Sequence, residues 1–97
     1  MEIRIHAIHF EISERLESFI NKKIDKLARR NDNIAEVDIT LKVIKPETSM
    51  NKEAAIKFAV PQHDDVIATK IADSFEEAVD LALEATERQL EKLKQKK

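Results

Sequence analysis

EVDITLKV, residues 36–43, alternates apolar and polar side chains along its whole length. A period of two is typical of a β-strand that has one face against a core and the other in water. Residues 2–7 and 53–60 alternate in the same way, and residues 66–72 predict a fourth strand whose two faces are harder to tell apart. The chain is therefore predicted to build a four-stranded sheet.

Two segments with helical periodicity accompany these strands. Residues 13–30 begin at Ser13, a favourable N-cap residue, and place their apolar side chains on one stripe. The second segment begins at Ser74, which forms a capping box with Glu77, and continues at helical spacing to near the end of the chain. Each helix is expected to bury its apolar stripe against the sheet.

Turn-forming residues separate the predicted elements. Asn31-Asp32-Asn33 is expected to end the first helix, because Asn and Asp tolerate left-handed backbone in place of glycine. Polar connections are expected at residues 46–51 and 61–65. The order β-α-β-β-β-α needs one parallel pair and favours antiparallel pairing elsewhere. We predict an α+β two-layer sandwich, a four-stranded mixed sheet with two helices packed on one face, as a single domain over residues 1–97.

The absence of glycine and cysteine excludes several classes of chemistry. The 97 residues include no Gly and no Cys, so neither a phosphate-binding loop, a dinucleotide fingerprint nor a catalytic thiolate can form. There is no signal-peptide pattern and no run of about 18 apolar residues. We expect a cytoplasmic protein without a membrane span, a cofactor or a small-molecule substrate.

Charge is segregated along the chain, although the net charge is only −2. Residues 22–30 contain five cations and one acid, and residues 88–97 also contain five cations and one acid, so each segment carries +4. The rest of the chain therefore carries −10. A negative net charge disfavours nucleic acid as a partner, because phosphates bind Lys and Arg. The two basic segments, however, have the local positive charge that binding to phosphates needs.

A helical projection places the cations on one flank of each helix. The first helix has Arg15, Lys22, Lys23, Lys26, Arg29 and Arg30 on one flank, into which Phe19 also projects; on the second, Arg88 and Lys92 lie opposite Glu76, Glu77, Asp80, Glu84, Glu87 and Glu91. A solvated helix face would account for these charges without any partner. Their one-sidedness favours a function instead, and such stripes suit the shape and phosphates of structured RNA.

Three histidines raise the alternative of a metal site. His6, His9 and His63 are potential ligands, but their spacing matches no strong metal signature, and His6 is expected on the open face of the sheet. No grouping of Ser, His and acid indicates a nucleophile, and scattered carboxylates do not make an acid-base pair. We therefore expect neither a metal nor a catalytic residue, and a protein that is not an enzyme.

A set of short motifs, in order along essentially the whole chain, resembles a known family. The motifs are Ile3-Arg4-Ile5, His9-Phe10-Glu11-Ile12-Ser13, Leu16, Phe19-Ile20, Lys23, Lys26-Leu27, Asp32-Asn33-Ile34, Val37, Leu41, Val60-Pro61, Asp73-Ser74-Phe75, Ala78, Asp80, Arg88-Gln89-Leu90 and Lys92. The set resembles the ribosome hibernation promoting factors, also called ribosome-associated inhibitors or sigma-54 modulation proteins. The resemblance implies the same β-α-β-β-β-α sandwich.

The resemblance also implies a function. Such factors bind the small ribosomal subunit over the mRNA channel and the A and P sites during stationary phase or stress. They exclude tRNA and mRNA and need no cofactor. Matching family positions make Lys23, Lys26, Arg88 and Lys92 expected rRNA-binding residues, and Lys22, Arg29 and Arg30 extend the patch.

The chain also departs from the family pattern. Ala85 stands where a Lys is usual, and Ala7, Gln62 and His63 stand where Gly is common. Without the linker and dimerisation domain of long members, we expect a short form that is a monomer off the ribosome. An alternative is a protein-interaction module that regulates a transcription factor through the acidic flank of the second helix or the open sheet.

Overall fold

A computed structural model describes residues 2–31, 33–44 and 49–95. The elements are β1 (Glu2–Ile8), α1 (Glu14–Arg30), β2 (Glu36–Val43), β3 (Lys52–Ala59), β4 (Val66–Ala72) and α2 (Phe75–Gln95). This order confirms the predicted β-α-β-β-β-α sequence. Asp32 in the first predicted turn, residues 46–48 of the predicted connection and the last two lysines lie outside the described residues.

The four strands form one mixed sheet in the order β1-β2-β3-β4. β1 and β2 are parallel and pair Ile5 with Ile39, whereas β2, β3 and β4 are antiparallel and pair Ile39 with Ile56 and Ile56 with Ala68. Two rows of apolar residues, this one and the row Ile3-Val37-Phe58-Val66, therefore cross all four strands. Because side chains alternate across a strand, both rows face the same side.

The core lies between this apolar side of the sheet and the two helices. Ile20 and Ile24 of α1, Val79 of α2, and Ile56 and Phe58 of β3 are fully buried there. In β4 the same face is formed by Val66, Ala68 and Ala72, which are buried. Ile67 and Ile71, the two isoleucines that made the sequence pattern ambiguous, are 55% and 42% exposed on the opposite, open face.

Side chains at three helix ends fix where the helices start and stop. The Leu16 amide donates to Ser13 Oγ (3.1 Å), and the Glu77 amide donates to Ser74 Oγ (3.2 Å), as the predicted caps require. Asn31 follows the last residue of α1, as predicted, and its own backbone is not left-handed, with a φ of −136° and a ψ of 77°. Its buried side-chain amide donates to the Leu27 carbonyl (3.0 Å) and so bonds the last turn of the helix.

Among the residues that the structure describes, left-handed backbone occurs at three that are not glycine. His9, Met50 and Gln62 have φ values of 66°, 54° and 70°. Each such residue places Cβ close to the following carbonyl oxygen, at a cost of about 1–2 kcal/mol. Gln62 stands where glycine is common in the family that the sequence resembles, and it keeps the left-handed conformation that glycine adopts more easily. Ala7, another position where that family often has glycine, lies within β1.

Candidate nucleic-acid interface

α1 presents its predicted basic flank to solvent. Its buried residues Leu16, Ile20, Ile24 and Leu27 face the sheet, and this fixes the rotation of the helix about its axis. All of the predicted cations of α1 are consequently exposed: Arg15, Lys22, Lys23, Lys26, Arg29 and Arg30. The flank contains two rows, one beside α2 and one farther from it.

The inner row borders the acidic flank of α2. Lys23 Nζ lies 3.2 Å from Asp80 Oδ1, and an amino group of the Arg30 guanidinium lies 3.0 Å from Glu87 Oε2. The groove between the helices is lined by Lys23, Lys26, Leu27, Arg30, Asp80, Leu83, Glu84 and Glu87. The sequence predicts both flanks but not that they meet, because the spacing of residues along one helix does not contain the orientation of its neighbour.

The outer row of α1 consists of Lys22, Lys26 and Arg29, of which Lys26 also borders the groove between the helices. A shallow hollow beside them is lined by these three residues and Asp25. Within the part of the chain that the structure describes, no carboxylate lies within 4.0 Å of the charged nitrogen atoms of this row. The outer row therefore presents positive charge that no ion pair among the described residues neutralises, since Asp25 lines the hollow without pairing.

Lys92 lies on the side of α2 that is near β4, and Arg88 lies one turn before it on the same helix. Lys92 lines a hollow with Gln89 and with Asp64 and Asp65 of the β3–β4 turn, and the Gln89 amide donates to the Ile67 carbonyl of β4 (3.1 Å). Arg88 pairs with Glu84 one turn earlier (2.9 Å). The seven predicted rRNA-binding residues are thus all exposed but form two groups, which the acidic flank of α2 separates.

Phe19 is an addition to the predicted site. The Lys23 ammonium lies 5.4 Å from the centre of the Phe19 ring, a distance at which a cation and a ring attract each other. Phe19 also lines a hollow with Arg15 and Lys22. Its projection into the basic flank was visible in the sequence, and an aromatic ring among cations is the signal that identifies it.

The histidines do not converge. The pairing of Glu2 with Glu36 and of Glu36 with Ala59 places the start of β1 near the end of β3. His63 follows β3 at that end of the sheet, whereas His9 follows β1 at the other end. No three His, Asp or Glu side chains among the described residues are grouped so that they could hold a metal ion.

The open face of the sheet is charged in a different way. Arg4 contacts Glu2 (3.2 Å), Glu36 (3.6 Å) and Asp38 (3.8 Å), and these acids, Glu2 most strongly, raise the pKa of the Arg4 guanidinium above its ordinary value. His6 Nε2 lies 3.8 Å from the same Asp38 carboxylate, as expected for a histidine on this face. Cations here are surrounded by acids, so the open face is a poor surface for phosphate.

Both helices combine a buried apolar stripe with exposed charged flanks. Across residues 2–31, 33–44 and 49–95, neither α1 nor α2 is long and apolar enough to cross a lipid bilayer. What α1 does present is a row of cations on an exposed surface. Such a surface can hold a polyanion by its phosphates, because Lys and Arg replace the counterions that phosphates otherwise bind.

Comparison with known proteins identifies relatives that match almost the whole chain. The chain is 27% identical over 100 residues to the Ribosome hibernation promoting factor of Azotobacter vinelandii, and the alignment covers 99% of this chain and 85% of that protein. A ribosomal subunit interface protein from Coxiella burnetii has a TM-score of 0.87 and 25% identity, covering 99% of this chain and 100% of that one.

A second solved structure and a family model agree with these relatives. The N-terminal domain of Protein Y from Thermus thermophilus shares the fold, with a TM-score of 0.79 and 20% identity over 96% of this chain and 99% of that one. The family model described as Sigma 54 modulation protein / S30EA ribosomal protein matches residues 3–97. With a match over nearly its whole length, this chain belongs to the Sigma 54 modulation protein / S30EA ribosomal protein family.

Proposed function

We propose that this protein is a ribosome hibernation factor that binds the rRNA of the small ribosomal subunit near the A and P sites and the mRNA channel. Bound there, it blocks tRNA and mRNA and inhibits translation during stationary phase or stress. The observation that carries the proposal is the outer row of α1, in which Lys22, Lys26 and Arg29 are exposed together without a carboxylate partner among the described residues. The names of the relatives supply the kind of partner.

The outer row has the geometry that phosphate binding needs. Lys22 and Arg29, with Lys26 between them, are seven positions apart on one helix, which is about 10 Å along its axis. Three cations therefore meet the RNA within one short stretch of its backbone. Each one that reaches a phosphate releases a counterion, so binding weakens as salt rises.

The remaining predicted residues contribute in two ways. Lys23 and Arg30 extend the α1 surface toward α2, each beside an acid. Arg88 and Lys92, one turn apart on α2, form a second contact, of which Lys92 lies on the β4 side. A rigid two-layer domain with contacts on both sides of α2 fixes its orientation on the RNA, because phosphate contacts position a protein even though they do not read sequence.

The proposed mechanism is steric and needs no chemistry. Residues 1–97 act as one ribosome-binding unit, in the cytoplasm where ribosomes are found, without a cofactor and without a catalytic step. The protein occupies space that tRNA and mRNA would otherwise occupy, and the stored subunit returns to use when the protein dissociates. Inhibition should then be reversed by dilution or by salt rather than by an enzyme.

The test is sedimentation of purified protein with ribosomal subunits in sucrose gradients. We expect the protein to migrate with small subunits and whole ribosomes, and to be displaced by tRNA bound in the P site. The variant Lys26→Glu/Arg29→Glu should lose most of this binding. The matched control Lys42→Glu/Lys57→Glu makes the same change in net charge on the open sheet face and should keep it.

Two outcomes would contradict the proposal. A wild-type protein that stays at the top of the gradient does not bind ribosomes, which would favour the protein-interaction alternative. A protein that migrates with the small subunit together with P-site tRNA, with no competition between them, binds the subunit somewhere other than the proposed place.

A further inference from the structure

The ion pairs between the two helices repeat along both of them. Lys23 pairs with Asp80, and seven residues later on each helix Arg30 pairs with Glu87. Seven residues are about two helical turns, so both pairs lie on the same side of each helix. The pairs are therefore a repeated feature of the surface between α1 and α2 and not a single chance contact.

These pairs contribute little to the stability of the fold. The side chains of Lys23 and Asp80 are 44% and 50% exposed, and those of Arg30 and Glu87 are 59% and 32% exposed. Ion pairs with this much contact with water add little net stability, because water already solvates both charges well. Stability therefore does not explain why two acids of α2 lie against cations that are needed for RNA.

The acids have a clear effect on any polyanion that approaches. A phosphate bound to Lys23 must come close to Asp80, whose carboxylate is 3.2 Å from the same ammonium. Glu84, which pairs with Arg88 of its own helix, lines the same groove between the two pairs, so three carboxylates form a ridge beside the α1 cations. An RNA that lies across the ridge is repelled, whereas one whose phosphates follow α1 and avoid the ridge is not.

The same contacts hold the Lys23 side chain in one place. Its ammonium lies 3.2 Å from Asp80 Oδ1 and 5.4 Å from the centre of the Phe19 ring. A lysine that is already ordered loses less conformational entropy when a phosphate binds at the right position. It also adapts less easily to a phosphate at another position.

We propose that Asp80 and Glu87 are specificity-determining residues. They hold Lys23 and Arg30 in place and reject duplex RNA whose phosphates cross the groove between the helices, so that binding is restricted to an RNA surface shaped to avoid the acids. This inference rests on the proposed function. From their negative charge alone, Asp80 and Glu87 would be expected to weaken binding to every RNA, whereas the inference gives them a role in selecting one.

The test compares two RNA targets at several salt concentrations. Fluorescence anisotropy measures the affinity of Asp80→Asn/Glu87→Gln for small subunits and for a generic RNA duplex of about 20 base pairs, longer than the roughly 16 that a double-stranded-RNA-binding domain spans. We expect duplex affinity to rise about tenfold and its salt dependence to steepen, with slopes of about 0.7–0.9 per added phosphate contact. Affinity for the small subunit should change less than about threefold. This change in binding free energy is about half of the change expected for the duplex.

A matched control separates this effect from a change in net charge. Glu2→Gln/Glu36→Gln also removes two acids that pair with a cation, but at Arg4 on the open face. If the control strengthens duplex binding as much as Asp80→Asn/Glu87→Gln does, the inference is wrong. It is also wrong if the Asp80→Asn/Glu87→Gln variant gains equally for duplex and small subunit, because specificity is then unchanged.

The measurement distinguishes failure of this inference from failure of the proposed function. Wild-type protein that does not bind small subunits contradicts the proposed function. Wild-type protein that binds them, with a ratio of affinities that the two substitutions leave unchanged, contradicts only the inference. Thermal unfolding of each variant checks the fold, and the single Asp80→Asn variant repeats the test with a smaller perturbation.

Discussion

The helix layer and the open sheet face contain the same kinds of charged residue in opposite arrangements. On the open face, Arg4 of β1 is opposite Asp38 of β2, and Asp38 is opposite Lys57 of β3, so signs alternate along this row, and Arg4 also contacts the acids Glu2 and Glu36. On the helix layer, the cations of α1 form rows and the acids of α2 form a ridge. In the first arrangement, neighbouring charges cancel each other locally. In the second, the separated cations create a positive electrostatic potential that attracts a large polyanion.

The arrangement on α1 has a cost that the sheet face avoids. Lys22 and Lys26, and Lys26 and Arg30, are four residues apart and lie side by side on the helix. Like charges at this spacing destabilise a helix by about 0.2–0.5 kcal/mol per pair. Selection for stability alone would not place them there, and this strengthens the case that the outer row binds a partner.

The largest expected effect comes from removing the outer row. Lys22→Gln/Lys26→Gln/Arg29→Gln should weaken binding to the small subunit by about 100-fold or more at low salt, since none of the three side chains can then bind a phosphate. The slope of log affinity against log salt should fall by about 0.7–0.9 for each phosphate that is no longer bound. Anisotropy titrations at four or more salt concentrations give both numbers.

Neutralising cations on the sheet face is the control for this prediction. Lys42→Gln/Lys57→Gln should change affinity less than about twofold, because phosphates are not expected to approach that face. Equal losses of affinity from the two sets of substitutions would mean that only net charge matters. The difference between the two faces would then have no functional meaning.

A smaller effect is expected on the far side of α2. Ala85 is half-buried on the flank that contains Arg88 and Lys92, where the family usually has a lysine. Ala85→Lys should add one phosphate contact, raise affinity for the small subunit about threefold and steepen the salt slope by about 0.7–0.9. Ala55→Lys, on the open face, is the matched control and should leave both unchanged. If Ala85→Lys has no effect on the slope, this flank does not touch RNA.

Most of the fold could be predicted from local sequence patterns. The alternation in residues 36–43 and the caps at Ser13 and Ser74 depend on neighbours within a few positions, and they specify strands and helix starts directly. The faces of β4 were uncertain because Ile67 and Ile71 are apolar but exposed. Only the packing of α2 over Val66, Ala68 and Ala72 decides which face is buried.

The candidate site was predictable as a set of residues but not as a surface. Helical spacing places the cations on one flank of α1 without any structural information. It does not show that Asp80 and Glu87 come from a helix 50 or more positions away to pair with Lys23 and Arg30. The end of α1, in contrast, was predictable from local residues, because Asn31 follows its last residue and the Asn31 side-chain amide donates to the Leu27 carbonyl.

The smallest expected effect is that of Arg4, and it tests the sheet side of the comparison. Arg4 is exposed and contacts three acids, so Arg4→Gln leaves Glu2, Glu36 and Asp38 close together without their shared cation. Like charges opposite each other on neighbouring strands destabilise a sheet, and the melting temperature should therefore fall by a few degrees at low salt and recover as salt screens the acids. Binding to the small subunit should stay within about twofold of wild type over the same range of salt. A loss of binding as large as that of an outer-row residue would place RNA on the open face, and the contrast between the two faces would have to be abandoned.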